Sequence, residues 1–205
     1  MVNGDILINK YGESLFLPLQ KLAQTGTMSQ RETANTILAN WTVATLNDGD
    51  REMIVVSGKE PLNAKLCLNP VELKSVEDMF MTNTIKENNN VLLYFSNYGL
   101  HELLKKEKDF SRKQILKAAL KHCLMNNTGY LRKQVVDYLG ESGNAEDISE
   151  LERLARNDTY IDPASVYFQK RANNFDMKKT KNSYPVREAA SAAIEKIKAR
   201  YKDVK

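Results

Sequence analysis

Apolar residues along this chain recur mainly at the three- and four-residue spacing of one helical face, with almost no strict alternation. Between Gly12 and Gly26, Leu15, Phe16, Leu19, Leu22 and Ala23 fall on such a face. Pro18 fits only within a first turn, so this helix is predicted to start late. Ser29, with Glu32 three residues on, reads as a capping box opening a second helix that runs to about Leu46. Its predicted inward positions are Ala34, Ile37, Leu38, Trp41, Val43 and Ala44. Asn47-Asp48-Gly49-Asp50 supplies the turn chemistry that ends it.

The pattern then changes. Met53-Ile54-Val55-Val56 is rich in β-branched residues, but four positions do not separate a strand from an irregular excursion. Pro61 and Pro70 break any helix, so 47–70 is expected to be an irregular insertion. Pro70 suits the first turn of a helix from about Val71, with Val76, Met79 and Phe80 inward. From Val91 to about Lys106, Val91, Phe95 and Tyr98 with Leu92, Leu103 and Leu104 again read as helix, and Gly99 weakens it by about 1 kcal/mol relative to Ala. Ser111 is the predicted cap of a helix whose stripe is Ile115, Leu116, Ala119, Leu120, Cys123 and Leu124, stopped by Asn126-Asn127-Thr128-Gly129. A string of helices with short connectors predicts an all-α fold.

Composition narrows the class. The 205 residues, 42% hydrophobic and 27% charged, fit one globular domain and exclude a collagen-like or wholly disordered chain. Two cysteines, Cys67 and Cys123, exclude a disulfide-stapled scaffold and read as buried free thiols. The net charge of +4 is unevenly spread. From Gln169 to Lys205 there are eleven Lys/Arg against four Asp/Glu, whereas the rest of the chain carries a net −3. A basic end of this kind attracts phosphates, anionic lipid or an acidic protein surface. The N-terminus lacks the basic and apolar regions of a signal peptide, so the cytoplasm is expected, an exported chain with its signal removed being the alternative.

The segment from Leu131 carries a more specific signal. Leu131-Arg132-Lys133-Gln134-Val135-Val136-Asp137-Tyr138-Leu139-Gly140 is followed by a Gly143-Asn144 turn and by Ile148, Leu151, Leu154 and Ala155, with Asn157-Asp158 closing the unit. This resembles a HEAT repeat, in which an aliphatic-Arg pair opens an outer helix ending Leu-Gly and an inner helix follows. Gly143 suits a left-handed helix end and Asn144 can cap the second helix. The opening recurs at Val186-Arg187-Glu188-Ala189-Ala190, and weaker matches cover Val91–Lys106 with Ser111–Met125 and Leu15–Leu46.

The resemblance implies a short right-handed α-solenoid of HEAT-like helical hairpins in one domain over 1–205. It divides into an N-terminal helical pair at 12–46, the irregular 47–70, middle helices at 71–126, the clearest repeat at 131–158, an insertion at 159–184 and a capping helix at 185–203. Arg132 and Arg187 stand 55 positions apart, beyond the roughly 40–47 of HEAT periods, so the insertion follows Asp158. Insertions in repeat arrays emerge on one face, often the binding face.

No reaction can be read from the residues. His101-Glu102 matches the pairs that bind iron in one HEAT-repeat hydroxylase family, but that family uses several pairs and this chain has one. His122 and Cys123 are adjacent on a helix, about 100° apart, so one ion cannot easily take both. No nucleophile elbow, dinucleotide fingerprint or P-loop occurs. The acidic pairs Glu146/Asp147 and Glu150/Glu152 read as a solvated face.

No catalytic residue, metal or cofactor is therefore expected, and the favoured function is a scaffold for a protein partner, one of acidic surface. The binding candidates lie in the insertion: Tyr167, Phe168 and Phe175 as apolar anchors, and Lys170, Arg171, Lys178, Lys179 and Lys181 as the attracting charges. The alternative is nucleic-acid binding by the same segment, resembling the HEAT-like DNA-base glycosylases, although the only tryptophan, Trp41, sits in a stripe that reads as core.

Overall fold

A computed structural model describes residues 16–47, 52–57, 60–65, 68–163 and 183–202. The described helices are α1 (Phe16–Thr25), α2 (Met28–Asn47), α3 (Pro70–Lys86), α4 (Asn90–Lys106), α5 (Phe110–His122), α6 (Gly129–Ser142), α7 (Ile148–Asn157) and α8 (Pro185–Lys202). Single 3-10 turns cover Cys123–Met125 and Ala145–Asp147. The packed layers are all helical.

The stretch expected to be irregular contains a hairpin. Strands β1 (Glu52–Ser57) and β2 (Glu60–Lys65) pair antiparallel, from Glu52 opposite Lys65 to Ser57 opposite Glu60. The β-branched run on β1 favours extended backbone. Pro61, opposite Val56, is tolerated because each strand of a two-stranded ribbon is an edge strand, where a missing N–H need not interrupt the ladder.

The chain divides into two compact units, Met1–Leu120 and Lys121–Lys205. In the first, α4 packs along both α2 and α3, and α1 packs on α2. Phe16, Leu38, Trp41, Val76, Phe80, Leu92, Leu93 and Leu100 form its interior, with the Phe16 ring edge-on to Trp41. This core is unusually polar. The Asn83 side-chain amide donates to Asn35 Oδ1 (2.8 Å) and Ser96 Oγ (3.1 Å), tying α3 to α2 and α4. Such a network fixes one register, because a shifted helix would leave buried amides unpaired.

Several inward positions differ from expectation. Leu22, Val91 and Ile115 are exposed, and Phe95, Tyr98, Val43 and Ala44 are only half-buried. On α4 the buried face is instead Leu92, Leu93, Ser96, Asn97, Gly99, Leu100, Leu103 and Leu104. Gly99 is there for space, since a Cβ would overlap the Phe80 ring.

The helix starts are corrected too. The side chain opening α2 is Thr27, one residue ahead of the helix. Its hydroxyl accepts from Gln30 N–H (3.4 Å), and Gln30 Oε1 accepts from Thr27 N–H (2.8 Å). Glu32 is thereby released to accept from the Asn89 amide at 2.8 Å. At α5 the cap is Asp109, whose Oδ1 accepts from Arg112 N–H (2.7 Å), and not Ser111. Asn69 caps α3 in a full capping box with Glu72, and Pro70 sits at the first helical position, as its sequence suggested.

In the second unit α8 packs along both α6 and α7, burying Val186, Ala190, Ala193 and Ile197 against Leu131, Val135, Leu139, Leu151 and Leu154. Gly143 ends α6 with φ −76° and ψ 170°, extended and not left-handed. Asn144 does cap, accepting from Glu146 N–H (3.1 Å). Asp147 is fully buried and not a solvated charge, because its Oδ2 accepts from Asn144 N–H (2.8 Å) and its Oδ1 pairs with Lys121. Among the described residues no helix is long and apolar enough to cross a membrane.

Candidate functional site

The eight residues expected to bind a partner, Tyr167, Phe168, Lys170, Arg171, Phe175, Lys178, Lys179 and Lys181, lie outside the described residues. What the structure defines is the root from which that stretch leaves and returns. Asp162 N–H donates to Ser183 C=O at 3.0 Å, so the two ends of the excursion meet. Arg132, in the first turn of α6, donates from Nε (2.7 Å) and Nη2 (3.0 Å) to the two oxygens of Asp158, just past α7, and from Nη1 to Asn126 C=O (2.6 Å). Arg187, in the first turn of α8, donates to the main-chain oxygen of Asp158 and stacks over the Tyr184 ring at 4.2 Å. Tyr160 N–H donates to Asp158 Oδ1 (2.9 Å), and its ring occupies the space beside Gly129 where any side chain would collide.

The two arginines that carried the repeat resemblance thus converge on one acidic residue. Burial acts against the charged form of Asp158, but the hydrogen bonds from Arg132 and Tyr160 N–H, with the charges of Arg132 and Arg187, outweigh it and hold this carboxyl below its usual range. Through these contacts the root ties the end of α7 to the starts of α6 and α8.

The first unit carries a groove of about 360 Å³ between α3, α4 and the start of α5, with Leu46 of α2 at its edge. Leu73 and Leu103 form apolar wall, and Lys74, Glu77, Lys106, Glu107 and Arg112 supply charge. Glu77 is buried and accepts from Lys74 Nζ (2.9 Å) at one oxygen and from Arg112 at the other. Arg112 Nε also reaches Glu107 Oε2 at 3.2 Å. Glu107 Oε1 accepts from the N–H groups of Asp109 (2.9 Å) and Lys108 (2.7 Å). The Asp109 N–H is foremost in lowering the Glu107 pKa; burial opposes it, and Lys108 N–H and Arg112 add to it. The hydrogen bonds and charges of Glu77 and Asp78 raise the pKa of Lys74.

His101 and Glu102 are buried, with 3.6 Å between His101 Nδ1 and Glu102 Oε1, and Lys105 also holds Glu102. Cys123 is buried beside exposed His122; Cys67 lies outside the described residues. Among the described residues no three His, Cys, Asp or Glu side chains gather as a metal site would require.

Asp158 as the shared acceptor, and Glu77 with Arg112, were missed in the sequence. Asp158 closes the segment whose sequence resembles a repeat, but only the fold brings a residue 26 positions on to Arg132. Glu77 had no local signal, since an acid in the middle of an amphipathic helix normally marks the solvent face. No family model, curated protein or solved structure matches the chain.

Proposed function

We propose that the chain is a non-catalytic, HEAT-like helical-repeat module that binds a protein partner of acidic surface through the 159–184 excursion. The observation that supports this reading most is the clamped root. Asp162 and Ser183 close the base of the excursion, and Arg132, Asp158 and Arg187 anchor that base to the first turns of α6 and α8. A long excursion held at both ends loses less freedom on binding than one on a loose stalk, which favours affinity. The residues it carries suit the task, with aromatic anchors at Tyr167, Phe168 and Phe175 among five basic side chains.

The test uses the full chain and a fluorescein-labelled glutamate-rich peptide as a stand-in for the partner's surface. Reversal to Glu of Lys170, Arg171, Lys178, Lys179 and Lys181 is expected to abolish binding, while Phe175→Ala weakens it about tenfold or more. Unchanged peptide affinity in the five-fold reversal would place the interaction elsewhere.

A further inference from the structure

We propose that the groove of the first unit is a separate docking site for a short acidic and aliphatic segment of a protein partner, a carboxylate next to a leucine-type side chain. This site is distinct from the excursion and does not depend on that reading.

The argument begins with which charges face outward. The side chains of Lys74 and Arg112 are 53% and 46% exposed, whereas those of Glu77 and Glu107 are 4% and 18% exposed. Both oxygens of each acid are already engaged from within the chain. Lys106 is exposed and has no carboxylate within ion-pair distance among the described residues. Asp78 shares Lys74 but does not line the groove. Solvent therefore meets a cationic rim over spent acids.

Arg112 retains donor capacity. Its Nε and Nη2 serve Glu107 and Glu77, leaving Nη1 for an incoming acceptor. Glu77 and Glu107 hold the guanidinium in place before any ligand arrives, so little side-chain freedom remains to be lost on binding. A carboxylate placed between Arg112 and Lys106 would lie beside Leu46, Pro70, Leu73 and Leu103, an apolar wall that a bare phosphate could not use. The volume is at the low end of ligand sites, roughly 300–1,000 Å³, and suits two side chains of an extended segment. A nucleic-acid strand is disfavoured, because its repeated phosphates would run past a site with one unpaired cation and a hydrophobic wall.

Fluorescence anisotropy of the full chain with a labelled Asp-Leu-Leu-Glu-Leu peptide tests this. Lys106→Glu is expected to weaken binding about tenfold and Lys106→Gln by less, with far-UV circular dichroism unchanged because the side chain is exposed. Lys179→Glu, in the excursion, is expected to leave this affinity within about twofold, which separates this site from the other one. The proposal is overturned if Lys106→Glu binds the peptide as tightly as the parent chain. Equal binding of a Lys-Leu-Leu-Lys-Leu peptide, of an oligonucleotide or of N-acetyl-leucine alone would overturn it as well.

Discussion

Asp158 holds three chain segments: its carboxylate takes the start of α6 through Arg132 and the turn at Tyr160, and its main-chain carbonyl takes the start of α8 through Arg187. Removing its charge leaves a largely buried guanidinium without its partner, so Asp158→Asn is expected to cost about 3 kcal/mol in urea unfolding of the full chain. The same carboxylate fixes a pH dependence. Its folded pKa lies below its unfolded value, so its contribution is complete above pH ~4 and is lost as pH falls through the lower folded value. Glu87 behaves alike: burial opposes ionisation, but Asn88 N–H, Arg31 and Asn89 N–H outweigh it. The urea midpoint is therefore expected to drop between pH 5 and pH 3, about one unit either side of ~4, and less steeply in Asp158→Asn. A midpoint that rises over that interval would contradict these assignments.

At the scale of elements, the linkers of the first unit repeat one device. Glu87 and Glu107, each directly after a helix, fold a carboxylate back onto the next two N–H groups and give the other oxygen to an arginine, Arg31 or Arg112. The next helix is then capped by Asn89 or Asp109. Thr27→Ala and Asp109→Ala are each expected to cost about 1 kcal/mol, whereas Ser29→Ala and Ser111→Ala stay near zero, measured by thermal unfolding. Gly99→Ala, stabilising on helix propensity alone, is expected to destabilise by about 1–3 kcal/mol because the new methyl meets Phe80. These cases mark where the sequence was legible. The helices themselves, Pro70 in the first turn of α3 and the buried stripe of Leu116, Ala119 and Leu120 follow from local spacing. Which of two nearby polar side chains caps a helix, Thr27 or Ser29, Asp109 or Ser111, depends on two residues of register, and periodicity does not resolve that. Leu22 and Ile115 turn outward for a related reason: a wide apolar stripe does not say which edge the neighbouring helix covers. Ion pairs bridging distant segments, such as Glu77 with Arg112, leave no mark in local sequence.

For the molecule as a whole, the proposed function rests on the distribution of charge. The last 37 residues carry a net +7 on a chain whose remainder is net −3. Such a segment binds an acidic protein surface with moderate salt dependence and a nucleic acid with a steep one, because phosphate contacts release condensed counterions. The helical framework bears on this through the root at Asp158. Loosening it by Asp158→Asn is expected to weaken binding of the glutamate-rich peptide even though Asp158 touches no ligand. The most direct test of a protein-binding role is fluorescence anisotropy of labelled single- and double-stranded oligonucleotides, titrated with the full chain at low and at moderate salt. The account predicts that any weak signal at low salt vanishes at moderate salt, while the glutamate-rich peptide still binds there. Tight oligonucleotide binding that persists at moderate salt, and is lost when Lys178, Lys179 and Lys181 are reversed to Glu, would contradict it.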